Sequence, residues 1–259
     1  MDLGIKGRKA IVCASSKGLG RGCAVALARA GVDVVINGRD QAALDATAAA
    51  IRGETGVNVE IVNADVSTAD GQAALLAACP EPDILINNNG GPPFRDFRQV
   101  DRAAMLEGVT QNMVTPIELI QKVIDPMVAR NFGRIVNITS VSVKRPVPGL
   151  DLSSGARAGL TAFLAGVARS VAQNNVTINN ILPGYIETDR LRAVITANAT
   201  AQGAGENAVT ASLQDEVPAR RFGNPEEFGE CAAFLCSQHA GYITAQNLLL
   251  DGGLYMASF

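Results

Sequence analysis

The first residues with chemical potential form a glycine-containing turn near the amino terminus. Residues 14–20 read ASSKGLG, after a short β-branched run and before an alanine-rich stretch of helix length. Glycine lets the backbone approach a pyrophosphate closely, and the free N–H groups at a helix amino terminus bind it. The turn residues predicted to hold a dinucleotide are Ala14, Ser16, Lys17, Gly18, Leu19 and Gly20.

Two cations flank the place where the adenosine ribose of that dinucleotide would lie. The second apolar run ends Asn37-Gly38-Arg39-Asp40, so no carboxylate stands at Gly38, where an NAD site would carry one for the ribose hydroxyls. Arg39 offers a planar fork to a 2′-phosphate, and Lys17 adds a second positive charge. Either cation alone is more simply a solvated surface charge. Together they favour NADP(H) over NAD.

The elements that must position these residues follow from hydrophobic patterning. Seven β-branched runs alternate with Ala-rich stretches, which predicts an α/β fold: a doubly wound (Rossmann), mostly parallel seven-stranded sheet with helices on both faces. The predicted strands are 10–13, 32–37, 57–62, 84–86, 134–138, 176–181 and 247–250. The predicted helices are 20–30, 41–53, 71–78, 102–130, 157–174 and 226–237, with Gly31, Gly53 and Gly133 as left-handed closing residues.

Domain organisation is predicted to be simple. No repeat or linker divides the chain, so residues 1–259 are expected to form a single NADP-binding domain. Residues 189–221 have weak periodicity and follow a strand. A long excursion at that point is typical of a lid over the substrate.

Composition excludes several classes of partner. A net charge of -3 gives no field to attract nucleic acid, which leaves a small-molecule substrate as the expected partner. No apolar run approaches the roughly 18 residues that a membrane span needs. Five cysteines form no C-x-x-C pair, and the single histidine, His239, lacks partners at zinc spacing, so we expect no metal site and a cytoplasmic location with free thiols.

In this order and spacing, the motifs resemble the short-chain dehydrogenase/reductase family over nearly the whole chain. That family usually opens with Thr-Gly-x-x-x-Gly-x-Gly, whereas residues 13–20 have Cys and Ala at the first two positions. Residues 87–90 (NNNG) are similar to its Asn-Asn-Ala-Gly motif, and residues 221–227 and 251–253 also match. The resemblance adds to the expected cofactor site Asp65, Val66, Asn88, Gly90, Arg157, Pro183, Gly184, Ile186 and Thr188. It also implies a homotetramer or homodimer, with helices 102–130 and 157–174 on one dimer face.

The family's catalytic positions match only in part. Its members typically use Asn, Ser, Tyr and Lys, with the tyrosine as proton donor or acceptor and the lysine lowering the tyrosine pKa. By this resemblance Asn112 anchors a water relay and Ser140 orients the substrate oxygen. The tyrosine and lysine positions hold Ser153 and Arg157. A phenol has a pKa of about 10, an aliphatic hydroxyl ionises several units higher, and arginine is a fixed cation, so we expect an altered proton-donor site.

Other residues could supply the missing proton. Tyr185 carries a phenol on the expected nicotinamide side, although a pocket wall is its simpler role. Lys144 and Arg145 are expected in a solvated loop, and Asp151 in an exposed loop where a carboxylate would be ionised at neutral pH. Cys231 and Cys236 are expected as small core residues, and His239 on the surface.

Three functions remain open from the sequence. The leading hypothesis is an NADPH-dependent oxidoreductase that reduces a carbonyl, such as a 3-oxoacyl group or a small ketone, or oxidises a secondary alcohol. A catalytically impaired NADP-binding regulatory or scaffold protein is the alternative. Dehydration or isomerisation, which related proteins also perform, is the third.

Overall fold

The computed structural model describes residues 1–92 and 94–257, and a seven-stranded parallel sheet lies at its centre. The strand order is β3-β2-β1-β4-β5-β6-β7, which confirms the predicted doubly wound α/β class. The strands are β1 (Lys9–Val12), β2 (Asp33–Gly38), β3 (Val59–Asn63), β4 (Ile84–Asn87), β5 (Gly133–Ile138), β6 (Val176–Pro183) and β7 (Asn247–Leu250). The predicted bounds are therefore correct to within about two residues.

Both faces of the sheet are buried, which explains why its central strands are almost wholly apolar. In β1, Ile11 packs in one hydrophobic cluster while Ala10 and Val12 pack in the other. Side chains alternate between the faces of a strand, so each face needs its own cover of helices. That cover comes from α1 (Gly18–Arg29), α2 (Gln41–Thr55), α3 (Ala69–Ala78), α4 (Arg102–Val109), α5 (Thr115–Ala129), α6 (Asp151–Val171) and α9 (Pro225–Cys236).

Two of the predicted helices differ from the structure. The predicted helix 102–130 is interrupted by a π-helical turn, Thr110–Val114, between α4 and α5. The predicted helix 157–174 begins six residues earlier, at Asp151, and ends in a 3-10 turn, Ala172–Asn174. Ser153 and Asp151 therefore lie in the first turn of α6 rather than in a loop.

The segment 189–221, for which no helix was predicted, is largely helical. It contains α7 (Asp189–Gln202) and α8 (Glu206–Glu216), which share a small apolar cluster that includes Leu191, Ile195, Val209 and Leu213. Two glycine predictions were wrong. Gly53 lies inside α2, which Gly56 closes at φ +71°, and Gly133 begins β5. Gly31 does have a left-handed φ, +80°, after α1.

Helices α1 and α9 cross with their backbones in contact. A Cβ on Gly22 would collide with the carbonyl oxygen of Pro225, and one on Gly229 would collide with the carbonyl oxygen of Gly22. Only glycine allows this approach, which fixes α1 beneath the glycine turn. Within the described part of the chain, none of the helices combines the length and apolar content of a membrane span.

Candidate active site

The glycine turn between β1 and α1 has an unusual backbone path. Ala14 and Gly18 both have positive φ, +44° and +57°. Ser15 holds the turn from inside: its hydroxyl donates to the carbonyl of Val12 (2.7 Å) and accepts from the N–H of Asn37 (3.0 Å). The turn is thus fixed to both of the strands, β1 and β2, that precede the phosphate and ribose positions.

The amino terminus of α1 fits a pyrophosphate. Its N-cap residue, Lys17, makes no side-chain capping hydrogen bond. The Lys17 side chain therefore does not accept from the first N–H groups of the helix. Gly20 has no space for a Cβ, because the carbonyl oxygen of Ala14 lies there, and Asn88 donates to that oxygen at 3.1 Å. An uncapped helix terminus beside a close-packed glycine turn is the arrangement that binds nucleotide phosphates.

The two cations predicted for the 2′-phosphate both lie beside carboxylates. Lys17 Nζ is 3.0 Å from Asp40 Oδ2, and Arg39 Nη1 is 3.5 Å from Asp65 Oδ2. Hydrogen bonds from Ser67, together with Arg39, lower the pKa of Asp65. The Arg39 side chain is 77% exposed, and exposed ion pairs contribute little free energy, so a dianionic phosphate can compete for both cations.

The start of α7 lies against the glycine turn. Thr188 caps α7 by accepting from Leu191 N (3.4 Å), and its Cγ2 is 3.5 Å from the place of a Cβ on Gly18. Upstream, Gly184 donates to the carbonyl of Leu250 (3.0 Å), and Ile186 bridges to Gly223. The structure therefore brings the predicted carboxyl-terminal cofactor residues, Pro183 to Thr188, to the same edge of the sheet as the phosphate turn.

A ladder of asparagine amides crosses the carboxyl half of the sheet. Asn87 donates to Asn137 (2.9 Å), Asn137 donates to Asn180 (3.0 Å), and Asn180 donates to Asn247 (2.8 Å). These residues are direct neighbours in the strand register. This ladder was not predicted as part of the site, although a polar Asn within the apolar run of β5 is a signal that could have indicated it.

The ladder ends, at Asn87, beside a small cavity that has both polar and apolar lining residues. Its lining includes Asn87, Asn112, Thr115, Asn137, Arg157 and Leu160. Asn112 lies in the π-helical turn, and its amide donates to the carbonyl of Gly108 (3.1 Å). Such turns inside helices are frequent at functional sites because they redirect individual side chains. Asn87 and Thr115 were not predicted as site residues.

Arg157 connects Ser153 with the backbone that precedes Ser140. Its Nε donates to the Ser153 hydroxyl (3.2 Å), and its Nη1 donates to the carbonyls of Ile138 (2.7 Å) and Thr139 (3.0 Å), immediately before Ser140. Desolvation, with the positive field of Arg190, lowers the pKa of Arg157 to about 10. The guanidinium is therefore still cationic at neutral pH.

Ser140 lies two residues after β5, where it caps the 3-10 turn Val141–Val143 with its hydroxyl oxygen. That oxygen accepts a hydrogen bond from the backbone N–H of Ser142 at 3.1 Å. A hydroxyl that accepts one hydrogen bond can still donate its own proton. Ser140 and Ser153 share this property, since each has a donor directed at its oxygen.

Comparisons with known proteins agree over almost the full length. A family described as Enoyl-(Acyl carrier protein) reductase matches residues 13–255. An acetoacetyl-CoA reductase of Allochromatium vinosum is 32% identical, covering 96% of this chain and 99% of the relative. A solved short chain dehydrogenase/reductase family protein is 30% identical, with a TM-score of 0.85, covering 99% of this chain and 100% of that chain. The chain belongs to the short-chain dehydrogenase/reductase family.

A further solved relative was crystallised with its ligands. L-sorbose reductase of Gluconobacter frateurii, complexed with NADPH and L-sorbose, aligns with a TM-score of 0.93 at 27% identity, covering 99% of this chain and 100% of that chain. The roles of individual residues in the present short-chain dehydrogenase/reductase remain predictions, supported by the geometry above.

The structure gives the surroundings of the four alternative proton donors of this short-chain dehydrogenase/reductase. Tyr185 packs edge-on against Phe222 with ring centroids 6.1 Å apart, and burial together with Glu216 raises its pKa, which makes it a poorer acid. Arg145 is not simply solvated, because it lies 3.3 Å from Glu216 on α8. Lys144 lies over the Tyr255 ring. Asp151 is an exposed residue of α6, not of a loop.

The cysteines and the histidine have structural positions. Burial raises the pKa of Cys13 and of Cys236 to about 12, and Cys231 is partly buried. His239 is exposed and lies 2.8 Å from the carbonyl oxygen of Asp2. Over residues 1–92 and 94–257, no group of three potential metal ligands occurs.

Proposed function

We propose that this chain is an NADPH-dependent oxidoreductase that reduces a carbonyl group, such as that of a 3-oxoacyl compound or a small ketone, or oxidises the matching alcohol. One observation carries the proposal: a single guanidinium connects Ser153 to the backbone directly before Ser140. Both hydroxyls are thereby held at the end of the sheet where the cofactor residues converge. The related reductases named above support the reaction class.

The cofactor end would be held by the glycine turn and its surroundings. Gly18 and Gly20 would admit the pyrophosphate, Arg39 and Lys17 would bind the 2′-phosphate, and Asp65 with Val66 would contact the adenine. Asn88, Gly90, Pro183 and Thr188 would enclose the rest of the dinucleotide. When bound, NADPH supplies a hydride from its nicotinamide ring.

The substrate end would stabilise the negative charge that develops on the carbonyl oxygen. Ser140 and Ser153 would each donate a hydroxyl proton to that oxygen, since the oxygen of each serine already accepts a hydrogen bond. Arg157 would add a fixed positive charge through Ser153. Preorganised donors of this kind contribute about a hundredfold to a thousandfold each to a rate.

The proton that completes the alcohol would come from solvent. Arg157 keeps its proton at neutral pH, and the raised pKa of Tyr185 does not favour proton donation. A serine hydroxyl that transferred its proton would be reprotonated by water. The protein groups of this proposed site would therefore stabilise the negative charge on the carbonyl oxygen, and water would supply the proton of the product alcohol.

Turnover with two serine variants tests the proposal. NADPH oxidation would be measured against a panel of 3-oxoacyl thioesters, 2-oxo and 3-oxo acids, small ketones and aldehydes, with products identified by mass spectrometry. We expect kcat to fall by about a hundredfold in Ser140→Ala and in Ser153→Ala. Ser154→Ala is the matched control, because the Ser154 hydroxyl donates within α6 to the carbonyl of Leu150. Tight NADPH binding without turnover would favour a regulatory or scaffold role, and a product lacking added hydrogen would favour dehydration or isomerisation.

The remaining predictions concern domain organisation, assembly and location. We propose one NADP-binding domain over residues 1–259, with residues 189–221 as a substrate lid, assembled as a homotetramer or homodimer in the cytoplasm. Met105 and Leu106 on α4 and Phe163 on α6 are 50%, 57% and 48% exposed. Apolar residues exposed on these two helices support association through this face. Sedimentation of Phe163→Glu tests it, with a monomer expected.

A further inference from the structure

Three segments, one of which carries Ser140, are joined by hydrogen bonds. They are the loop after β4, the loop after β5 and the start of α7. Arg95 N donates to the carbonyl of Gly149 (3.0 Å), which joins the two loops. Arg190, near the start of α7, donates to the carbonyls of Gly91 (3.1 Å) and Pro92 (3.2 Å). Arg190 thus lies where the predicted lid meets the loop that continues from Asn88 and Gly90.

Three cations on or beside these segments lack a carboxylate partner in the described part of the chain. Within residues 1–92 and 94–257, no carboxylate lies within 4 Å of the cationic groups of Arg157, Arg190 and Lys144. The neighbouring carboxylates are each paired with a different arginine; they are Asp96, Asp189 and Glu216. Two further carboxylates, Asp151 and Glu187, are exposed and unpaired in that same part of the chain. Arg157 on α6, Arg190 on α7 and Lys144 in the loop after β5 are thus cations without a carboxylate partner in the described part of the chain.

Arg190 also acts on Arg157 electrostatically. After desolvation, the positive field of Arg190 is the second cause of the lowered pKa of Arg157. Two like charges in partly desolvated surroundings repel each other, which raises the electrostatic free energy of the protein. An anion bound between them would lower that free energy. The guanidinium of Arg190 donates two of its five N–H groups to backbone carbonyls. The remaining N–H groups lie in the same plane and could donate to a carboxylate.

We propose that the substrate carries a carboxylate and that Arg190 binds it, so that Arg190 determines specificity for oxo acids over neutral carbonyl compounds. The inference rests on the proposed reductase function and names its substrate class. The cofactor pyrophosphate is the other anion that could reach this region, but its expected place is the uncapped amino terminus of α1. Arg190 is instead tied to the loop after β4 and acts on Arg157 at the substrate end.

Binding to the oxidised complex tests this without turnover. The full chain, saturated with NADP⁺, would be titrated calorimetrically with 2-oxo and 3-oxo acids of increasing length and with the methyl ester of each. We expect at least one acid to bind about tenfold or more tightly than its ester, as a charge-assisted hydrogen bond provides. Arg190→Gln should remove this difference. Arg192→Gln is the control, because Arg192 lies on the same helix and pairs with Asp189 at 3.5 Å.

The possible failures are distinguishable. A panel in which no acid binds more tightly than its ester would overturn the carboxylate site, even if neutral ketones are reduced. A weaker NADPH affinity in Arg190→Gln, with the acid preference intact, would also overturn it and assign Arg190 to the cofactor phosphates. An Arg190-dependent acid preference without any NADPH oxidation would contradict the proposed reduction and leave the carboxylate site supported.

Discussion

The Nε of Arg157 donates a 3.2 Å hydrogen bond to the hydroxyl oxygen of Ser153, one turn earlier in α6. This hydrogen bond uses one lone pair of the Ser153 oxygen, so the hydroxyl proton of Ser153 points away from Arg157. A residue pair that lacks a phenol and an ammonium group can in this way still present a polarised donor. The contact explains why Ser153 and Arg157 are best considered together.

Restoring the usual pair of the family should accelerate reduction. In Ser153→Tyr/Arg157→Lys, a phenol beside an ammonium group can donate the proton that the serine cannot, so we expect kcat to rise about tenfold or more. Steady-state NADPH oxidation is the measurement. Ser154→Tyr/Arg157→Lys, with the phenol one residue further along α6, should show no gain. An unchanged rate in the first variant would mean that the pocket itself has diverged.

The rate should depend on pH only in the alkaline range. Because burial and Arg190 lower the pKa of Arg157 to about 10, its positive charge is complete below about pH 9 and is lost as the pH rises through about 10. We expect kcat to be flat near neutrality and to fall through that range. Arg157→Lys should fall at lower pH, since lysine has the lower reference pKa, and Arg157→Gln should show no such fall. Circular dichroism at each pH separates this titration from unfolding.

Arg39 should decide between the two nicotinamide cofactors. Arg39→Ala removes the fork predicted for the 2′-phosphate, so we expect the Kd for NADPH to rise about tenfold to a hundredfold while that for NADH stays unchanged. Fluorescence titration measures both constants. Arg169→Ala, which removes an exposed cation from the last turn of α6, is the control. An equal loss for both cofactors would contradict a 2′-phosphate role.

Two glycines should respond oppositely to the same substitution. Gly22→Ala inserts a methyl group against the backbone of α9 and should lower the free energy of unfolding by about 1–3 kcal/mol. Gly53→Ala, in an open position within α2, should raise it by about 0.5–1 kcal/mol. Urea denaturation at equal protein concentration measures both changes. Equal effects would show that the α1–α9 crossing can adjust.

The sheet was predictable because buried parallel strands consist of continuous β-branched runs. Helices α7 and α8 were missed, although Leu191, Ile195 and Ala199 follow a four-residue spacing, because polar residues dominate the segment. The early start of α6 has no strong sequence signal, since its N-cap, Leu150, makes no side-chain cap and Ser153, Ser154 and Gly155 are weak helix formers. The contacts of Arg190 with Gly91 and Pro92 join residues about a hundred positions apart and could not be predicted from local pattern.

The crossing of α1 and α9 also bears on how the chain is made. The backbone that Gly22 touches, around Pro225 and Gly229, lies about 200 residues further along the chain and is synthesised that much later. The underside of α1 therefore stays uncovered until α9 emerges from the ribosome. A truncated chain that ends before α9 would display that apolar face to chaperones and proteases, however complete its glycine turn.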